Sequence, residues 1–307
     1  DGNFPTVVSP NPENPEGFAL AVELAKQNDV DFILGTDPDS DRVGIMIRDK
    51  NGEYQVVTGN QTGVVLLDYL LGAMQRSGKL PEKPVALKTI VTTEMAKAVA
   101  ESYGAACYDT FTGFKFLAEK KDKLEGAGEG KVVFSYEESY GYMLGDFVRD
   151  KDAVTASLAL TEMAAYYASK GMTVLDALNA LYEKHGYYGE KTHNLVMPGL
   201  DGLKDMAKLM ASLRQTPPRE IAGVTVRQFK DYQDGSVVDC ATGETSAMEL
   251  SGSNVLRFEL ADGTSIIVRP SGTEPKIKVY VLTKGKDAAE RDANLAKYAS
   301  WVAELKP

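Results

Sequence analysis

The spacing of apolar and polar positions divides this 307-residue chain into a long stretch of alternating strands and helices and a shorter, strand-rich stretch. Pro15-Glu16 opens a helical pattern through Lys26, with Phe18, Leu20, Val22 and Leu24 among its apolar positions. Phe32-Ile33-Leu34-Gly35 reads as a buried parallel strand. A second strand is expected over Val43–Ile47, then a turn at Asn51-Gly52. Further helices are expected over Val64–Met74, Thr93–Tyr103 and Phe114–Leu124, with strands over Val85–Val91 and Lys131–Ser135. This alternation implies a doubly wound α/β sheet. Two well-patterned helices follow over Ala153–Ser169 and Val174–His185.

Gly186–Pro198 has mixed polarity and suits a hinge, and beyond it the texture changes. A helix over Asp201–Leu213 is broken by Thr216-Pro217-Pro218. Strands are expected over Val224–Tyr232, Asn254–Leu260, Ser265–Val268 and Ile277–Leu282, and a last helix over Ala288–Leu305. That pattern reads as a separate α+β domain.

Composition narrows the function classes. A net charge of −10 argues against nonspecific nucleic-acid binding and against an anionic membrane surface. Two cysteines, Cys107 and Cys240, are too few for a disulfide framework, and two histidines exclude a His-rich metal site. The natural compartment for such a chain is a reducing cytosol. Cys107 and Trp301 read as packing residues. The turn-like start Asp1-Gly2-Asn3-Phe4-Pro5, without an initiator Met, suggests a fragment or a processed product.

Four short segments carry candidate chemistry. In Asp37-Pro38-Asp39-Ser40-Asp41-Arg42, three carboxylates at alternate positions follow a strand, at the edge where open α/β sheets bind ligands. Such crowding of like charge is relieved by a cation, and all-oxygen ligands favour Mg²⁺. A solvated acidic turn is the plainer alternative. An EF-hand fails, because its sixth and twelfth positions would be Arg42 and Arg48. A haloacid-dehalogenase-like phosphatase with Asp37 as nucleophile remains open, since Gly145-Asp146 and Asp150 resemble that class's later acidic motif.

In Arg269-Pro270-Ser271-Gly272-Thr273, a guanidinium, two hydroxyls and an unshielded backbone suit a phosphate, with Lys276 and Lys278 raising the local potential. The same residues also build ordinary hairpin turns. Glu137-Glu138-Ser139 after an apolar strand suits sugar hydroxyls, or simply a helix start. Thr112-Gly113-Phe114-Lys115 opens a helix. Gly113 and Lys115 there favour an anion, and a buried lysine can act as a base. An exposed helix-start lysine is the alternative.

Taken in order along the whole chain, these four segments resemble the α-D-phosphohexomutase family, and the Thr36-Asp37-Pro38-Asp39 form resembles its phosphoglucomutase and phosphopentomutase branch. The resemblance implies an intramolecular phosphotransferase that interconverts glucose 1-phosphate and glucose 6-phosphate through glucose 1,6-bisphosphate. It implies Mg²⁺ on Asp37, Asp39 and Asp41, and Arg42 beside the transferring group. It implies sugar contacts from Glu137 and Ser139, with Glu138 a weaker carry-over. Thr112 and Gly113 would also face substrate, and Lys115 would be the general base. Arg269, Ser271, Gly272 and Thr273 would hold the phosphate that is not reacting.

The family's nucleophile lies in a Thr-Ala-Ser-His-Asn-Pro-like loop, and this sequence contains none. The expectation is therefore two doubly wound mixed-sheet α/β domains, the first incomplete over 1–59 and the second over 60–189, then an α+β carboxyl-terminal domain over 190–307. The partner would be a missing amino-terminal domain of the same protein. Without it the chain is expected to be inactive. A noncatalytic sugar-phosphate-binding protein is the third possibility.

Overall fold

A computed structural model describes residues 2–199, 201–272 and 274–305. The chain forms two compact units, 1–185 and 186–307.

In the first unit a short 3₁₀ turn (Pro15–Phe18) leads into α1 (Ala19–Gln27). Strands β1 (Phe32–Thr36), β2 (Val43–Arg48) and β3 (Tyr54–Val57) then form an antiparallel three-stranded sheet in that order. The expected parallel strand at Phe32–Gly35 is therefore antiparallel, with Gly35 opposite Gly44 and Thr36 opposite Val43. The six residues 37–42 can only reverse the chain, because a parallel neighbour needs a crossover of a dozen or more. Only Ile33 of β1 is buried, whereas β2 is buried through Ile47. The acidic loop is thus the tip of a hairpin.

Helix α2 (Gly59–Arg76) starts five residues earlier than the apolar pattern suggests. A capping box secures that start: Thr58 Oγ1 accepts the Gln61 N–H, and the Gln61 side chain accepts the Thr58 N–H. Then come β4 (Pro84–Thr89), α3 (Met95–Glu101), β5 (Ala106–Thr110), α4 (Phe114–Gly126), β6 (Lys131–Glu137) and β7 (Gly141–Met143). The sheet order is β5-β4-β6-β7, with the first three strands parallel and β7 antiparallel. Val85, Leu87 and Val132 pack with Phe114, Leu117 and Leu124 of α4. On the α2 side, Phe134, Tyr136 and Tyr142 stack with centroids 5.3–6.4 Å apart. Helices α5 (Ala153–Ala168) and α6 (Val174–His185) complete the unit. The chain leaves β4 for β5 on one side and returns to β6 on the other. The carboxyl ends of β4, β5 and β6 therefore frame a crevice of the kind that binds ligands in open α/β sheets.

In the second unit the expected hinge is a ten-residue strand, β8 (Tyr187–Val196). Its mixed polarity reflects an edge strand with half-exposed and exposed positions. After α7 (Gly202–Gln215) come β9 (Glu220–Ile221), β10 (Val224–Asp231), β11 (Ser236–Asp239), β12 (Thr245–Ala247), β13 (Leu256–Leu260), β14 (Ser265–Pro270) and β15 (Lys276–Gly285). They form an antiparallel sheet ordered β12-β11-β10-β13-β14-β15-β8, with β9 paired to β10. Leu209, Met210 and Leu213 of α7 share one core with Tyr298 and Val302 of α8 (Ala288–Glu304), and Trp301 packs against that core.

Candidate functional site

The hairpin tip draws its three carboxylates together. Asp37 Oδ1 accepts the N–H groups of Asp41 (3.1 Å) and Arg42 (2.9 Å), and Ser40 adopts the left-handed conformation at φ 57°. One carboxylate oxygen from each of Asp37, Asp39 and Asp41 then lies within 4.8 Å of the others. Burial raises the Asp37 carboxyl above its usual range, and the charges of Asp39 and Asp41 push the same way, against the Arg42 N–H. A hard divalent cation would relieve that repulsion, and these all-oxygen donors fit Mg²⁺. Arg42 lies 3.8 Å from Asp41, 4.0 Å from Asp37 and 3.6 Å from Glu13.

The loop is tied to the segment that carries Glu137 and Ser139. Arg42 bridges Gly141, and the Val43 N–H donates to Tyr140 O at 3.1 Å. Glu137 is buried at the end of β6, and its Oε1 accepts the Gly113 N–H at 2.6 Å. Gly113 sits at φ 119°, a conformation that side-chain-bearing residues rarely adopt. Burial pushes the Glu137 carboxyl up and Glu138 adds to it, while the Gly113 N–H, Lys151 and Arg42 oppose. Ser139 is half-buried in the turn after β6. Glu138 accepts hydroxyl hydrogen bonds from Thr89 (3.3 Å) and Thr92 (3.2 Å). Its backbone rests on the α2 start so closely that a Cβ on Gly59 would lie 2.1 Å from Glu138 O.

Thr112 is half-buried, and its Oγ1 is buried without a hydrogen-bond partner among the described residues. Lys115, in the first turn of α4, is exposed rather than buried, with Nζ 4.8 Å from the Phe116 ring centroid. Asp37, Asp39, Asp41, Arg42, Gly113, Glu137 and Ser139 thus belong to one connected edge of the first unit. Asp146 is engaged elsewhere: Lys121 (2.7 Å) and then Lys131 (2.6 Å) hold its carboxyl down to about 2. Burial pushes the Cys107 thiol up to about 12, which suits packing and not nucleophilic chemistry.

Two charged residues escaped the sequence reading. Glu13 pairs with Arg42, and Lys151 Nζ lies 2.7 Å from Asp41 Oδ2. In sequence Lys151 belongs to the charged run Arg149-Asp150-Lys151-Asp152, which looks like a solvated helix start. The only local signal is the helix cap at Asp152 beside it.

In the second unit, the Arg269 loop connects the hairpin β14–β15. Arg269 is half-buried opposite Lys278, and the Ser271 N–H donates to Lys276 O at 2.8 Å. Ser271 is half-buried and Gly272 exposed, while Lys276 pairs with Glu274. Thr273 lies outside the described residues.

Comparison with known proteins decides what this arrangement belongs to. Models of the phosphoglucomutase/phosphomannomutase family match along the chain: domain II over 1–52, domain III over 58–185 and the C-terminal domain over 197–295. The chain belongs to this family. The phosphoglucomutase of Staphylococcus aureus strain N315 is 37% identical over 287 residues, covering 94% of this chain and 51% of that protein. The phosphoglucomutase of strain MRSA252 matches to the same extent. The chain therefore spans about half the length of the curated relatives it matches.

Two solved structures share the fold. The Paramecium phosphoglucomutase parafusin aligns with TM-score 0.63 and 19% identity, over 96% of this chain and 48% of that one. A putative phosphomannomutase from Thermus thermophilus aligns with TM-score 0.60 and 19% identity, over 96% of this chain and 51% of that one. Among the described residues no helix is long and apolar enough to cross a membrane.

Proposed function

We propose that this chain carries the metal-binding, sugar-binding and distal-phosphate-binding parts of a phosphoglucomutase. Joined to a domain bearing a phosphoserine, it would interconvert glucose 1-phosphate and glucose 6-phosphate through glucose 1,6-bisphosphate. One observation carries this reading. The carboxylate cluster of Asp37, Asp39 and Asp41 is bonded, through Arg42, Val43, Tyr140 and Gly141, to the turn holding Glu137 and Ser139. A sugar held by the second would lie beside a cation held by the first.

In this reading Asp37, Asp39 and Asp41 hold Mg²⁺, which supplies charge neutralisation at the phosphoryl group in transit. Arg42 shares that task from the end of the same loop. Glu137, with its Oε1 fixed by the Gly113 N–H, and Ser139 take the sugar hydroxyls. Thr112 offers its unpartnered hydroxyl. Lys115 takes the proton from the attacking hydroxyl; it is exposed here, so its burial would have to come with substrate. Arg269, Ser271, Gly272 and Thr273 hold the other phosphate. The partners are sugar phosphates and an amino-terminal domain of the same protein, with no nucleic acid or membrane, and the compartment is the cytoplasm.

The 307-residue chain alone should not convert glucose 1-phosphate, even with glucose 1,6-bisphosphate added, since its sequence holds no serine nucleophile loop. Extension with a domain carrying that loop should give turnover in a coupled assay. Substantial turnover by the chain alone would sink the reading and point to Asp37 as nucleophile. In the extended enzyme, Arg269→Ala removes one charge-assisted bidentate contact. That contact is worth on the order of 1.5–3 kcal/mol, so KM should rise roughly ten- to a hundredfold in both directions, more than kcat falls. Arg269→Lys should recover only part of the loss, because an ammonium lacks the planar fork. An unaltered KM both ways would reduce this loop to a turn.

A further inference from the structure

Lys151 is built into the site more firmly than its place in a charged run suggests. The next two residues fasten the chain on both sides. The Asp152 N–H donates to Tyr142 O at 2.9 Å, and the Ala153 N–H donates to Ser40 O in the metal loop at 3.0 Å. The Asp152 carboxylate then caps α5, accepting the Val154 N–H at 3.0 Å. The Lys151 side chain is only 17% exposed. Its stem passes Gly141, where a Cβ would lie 2.8 Å from Lys151 Cδ, so a residue larger than glycine there would displace it. The ammonium lies 5.6 Å from the Phe114 ring centroid, 3.3 Å from Asp150 and 2.7 Å from Asp41 Oδ2.

We propose that Lys151 is the resident counter-ion of the metal loop, competing with the divalent cation for Asp41 and coupling metal binding to anion binding. The proposal rests on the metal reading given above. With no cation bound, the ammonium offsets the mutual repulsion of three carboxylates. A divalent ion on Asp41 must share that carboxylate with the ammonium 2.7 Å from Oδ2 or displace it, and either way a largely desolvated ammonium lies beside the ion. Two cations so close repel unless an anion lies between them. A phosphoryl group supplies that anion. Metal and sugar phosphate should therefore each strengthen the other's binding by the same factor, as linkage requires.

The test is calorimetric titration of Mg²⁺ into the full chain, with and without saturating glucose 1,6-bisphosphate. Lys151→Met keeps the stem and removes the charge. It should tighten Mg²⁺ binding about three- to tenfold in the absence of the bisphosphate, which is the scale of one lost ion-pair competitor. It should also shrink the strengthening that the bisphosphate gives. Lys151→Arg, which keeps the charge, should stay close to the unsubstituted chain in both respects. Equal or weaker Mg²⁺ binding in Lys151→Met overturns the proposal alone. If the unsubstituted chain binds no Mg²⁺, the proposal and the metal reading both fall. A Lys151→Arg chain that binds Mg²⁺ as tightly as Lys151→Met also overturns it, because the charge would then be irrelevant.

Discussion

Asp39→Asn should weaken Mg²⁺ binding by the chain at least about a hundredfold, a loss at the upper end of what removing a supporting partner of a metal ligand causes. Asp39 is the cleanest of the three positions to test. Asp37 accepts two backbone N–H groups that shape the loop, and Asp41 pairs with Lys151, so substituting either also disturbs the protein around it. Asp39 is exposed, and asparagine keeps its shape while removing its charge. A hard cation with few protein ligands depends on that charge. In an enzyme extended with a phosphoserine domain, the same change should lower kcat by about a hundred- to a thousandfold, the scale of losing a major electrostatic stabiliser. Titration calorimetry on the chain and steady-state kinetics on the extended enzyme give the two numbers. An Asp39→Asn chain with unchanged Mg²⁺ affinity would make the loop an ordinary acidic turn.

Lys88→Met should destabilise the first unit by about 3 kcal/mol, at the lower end of the cost of breaking a buried ion pair from one side. Lys88 is fully buried. Its Nζ donates to the Thr92 carbonyl at 3.1 Å and the Thr89 carbonyl at 3.3 Å. It also pairs with Asp109 at 2.8 Å and Glu94 at 3.3 Å. Methionine fills similar space but removes the ammonium's hydrogen bonds to both carbonyls, of which Thr89 O keeps the Thr92 N–H, and leaves part of the carboxylate charge unpaired. Lys97, 2.7 Å from Asp109, limits the damage. Burial would raise the Asp109 carboxyl, but Lys88 and Lys97 outweigh burial and Glu94 and hold it below its usual range. A depressed carboxyl contributes stability that is present above its unfolded pKa and lost as pH falls through the folded one. Urea unfolding at neutral pH therefore measures the whole effect. A change under about 1 kcal/mol would mean that the charges at this site break even against an apolar side chain. The substitution should also loosen Glu138, whose carboxylate is held by the hydroxyls of Thr89 and Thr92.

The sequence revealed those features whose causes are local. Three aspartates at alternate positions announce a clustered acidic loop wherever it sits, and apolar periodicity found α4, α5 and α6 within a few residues. Features set by distant neighbours were hidden. The close approach of the Glu138 and Tyr140 backbone to Gly59, in the first turn of α2, leaves no mark in the sequence around Gly59. Strand β5 carries Cys107 and Asp109, and its pairing with β4 rather than its own composition makes it a strand. Edge strand β8 alternates too weakly to look like one. The pairing of Lys151 with Asp41 spans more than a hundred residues of chain, and the strap from Tyr142 to Ser40, with the links of Arg42 to Gly141 and Val43 to Tyr140, brings them together. Sequence motifs thus supplied the acidic side of the loop, and topology supplied the lysine that pairs with it.

The hairpin that carries the acidic tip has a consequence for how such a loop can vary in length. Gly35 opposite Gly44 and Thr36 opposite Val43 fix where pairing stops, and the bond from Val43 to Tyr140 fixes the far side again. With both ends anchored, one inserted or deleted residue would have to be absorbed within 37–42, where it would move the three carboxylates apart. Inherited change at this tip should accordingly be by exchange of residues in place, with gains and losses of length confined to turns such as 49–53, where 50–53 are exposed.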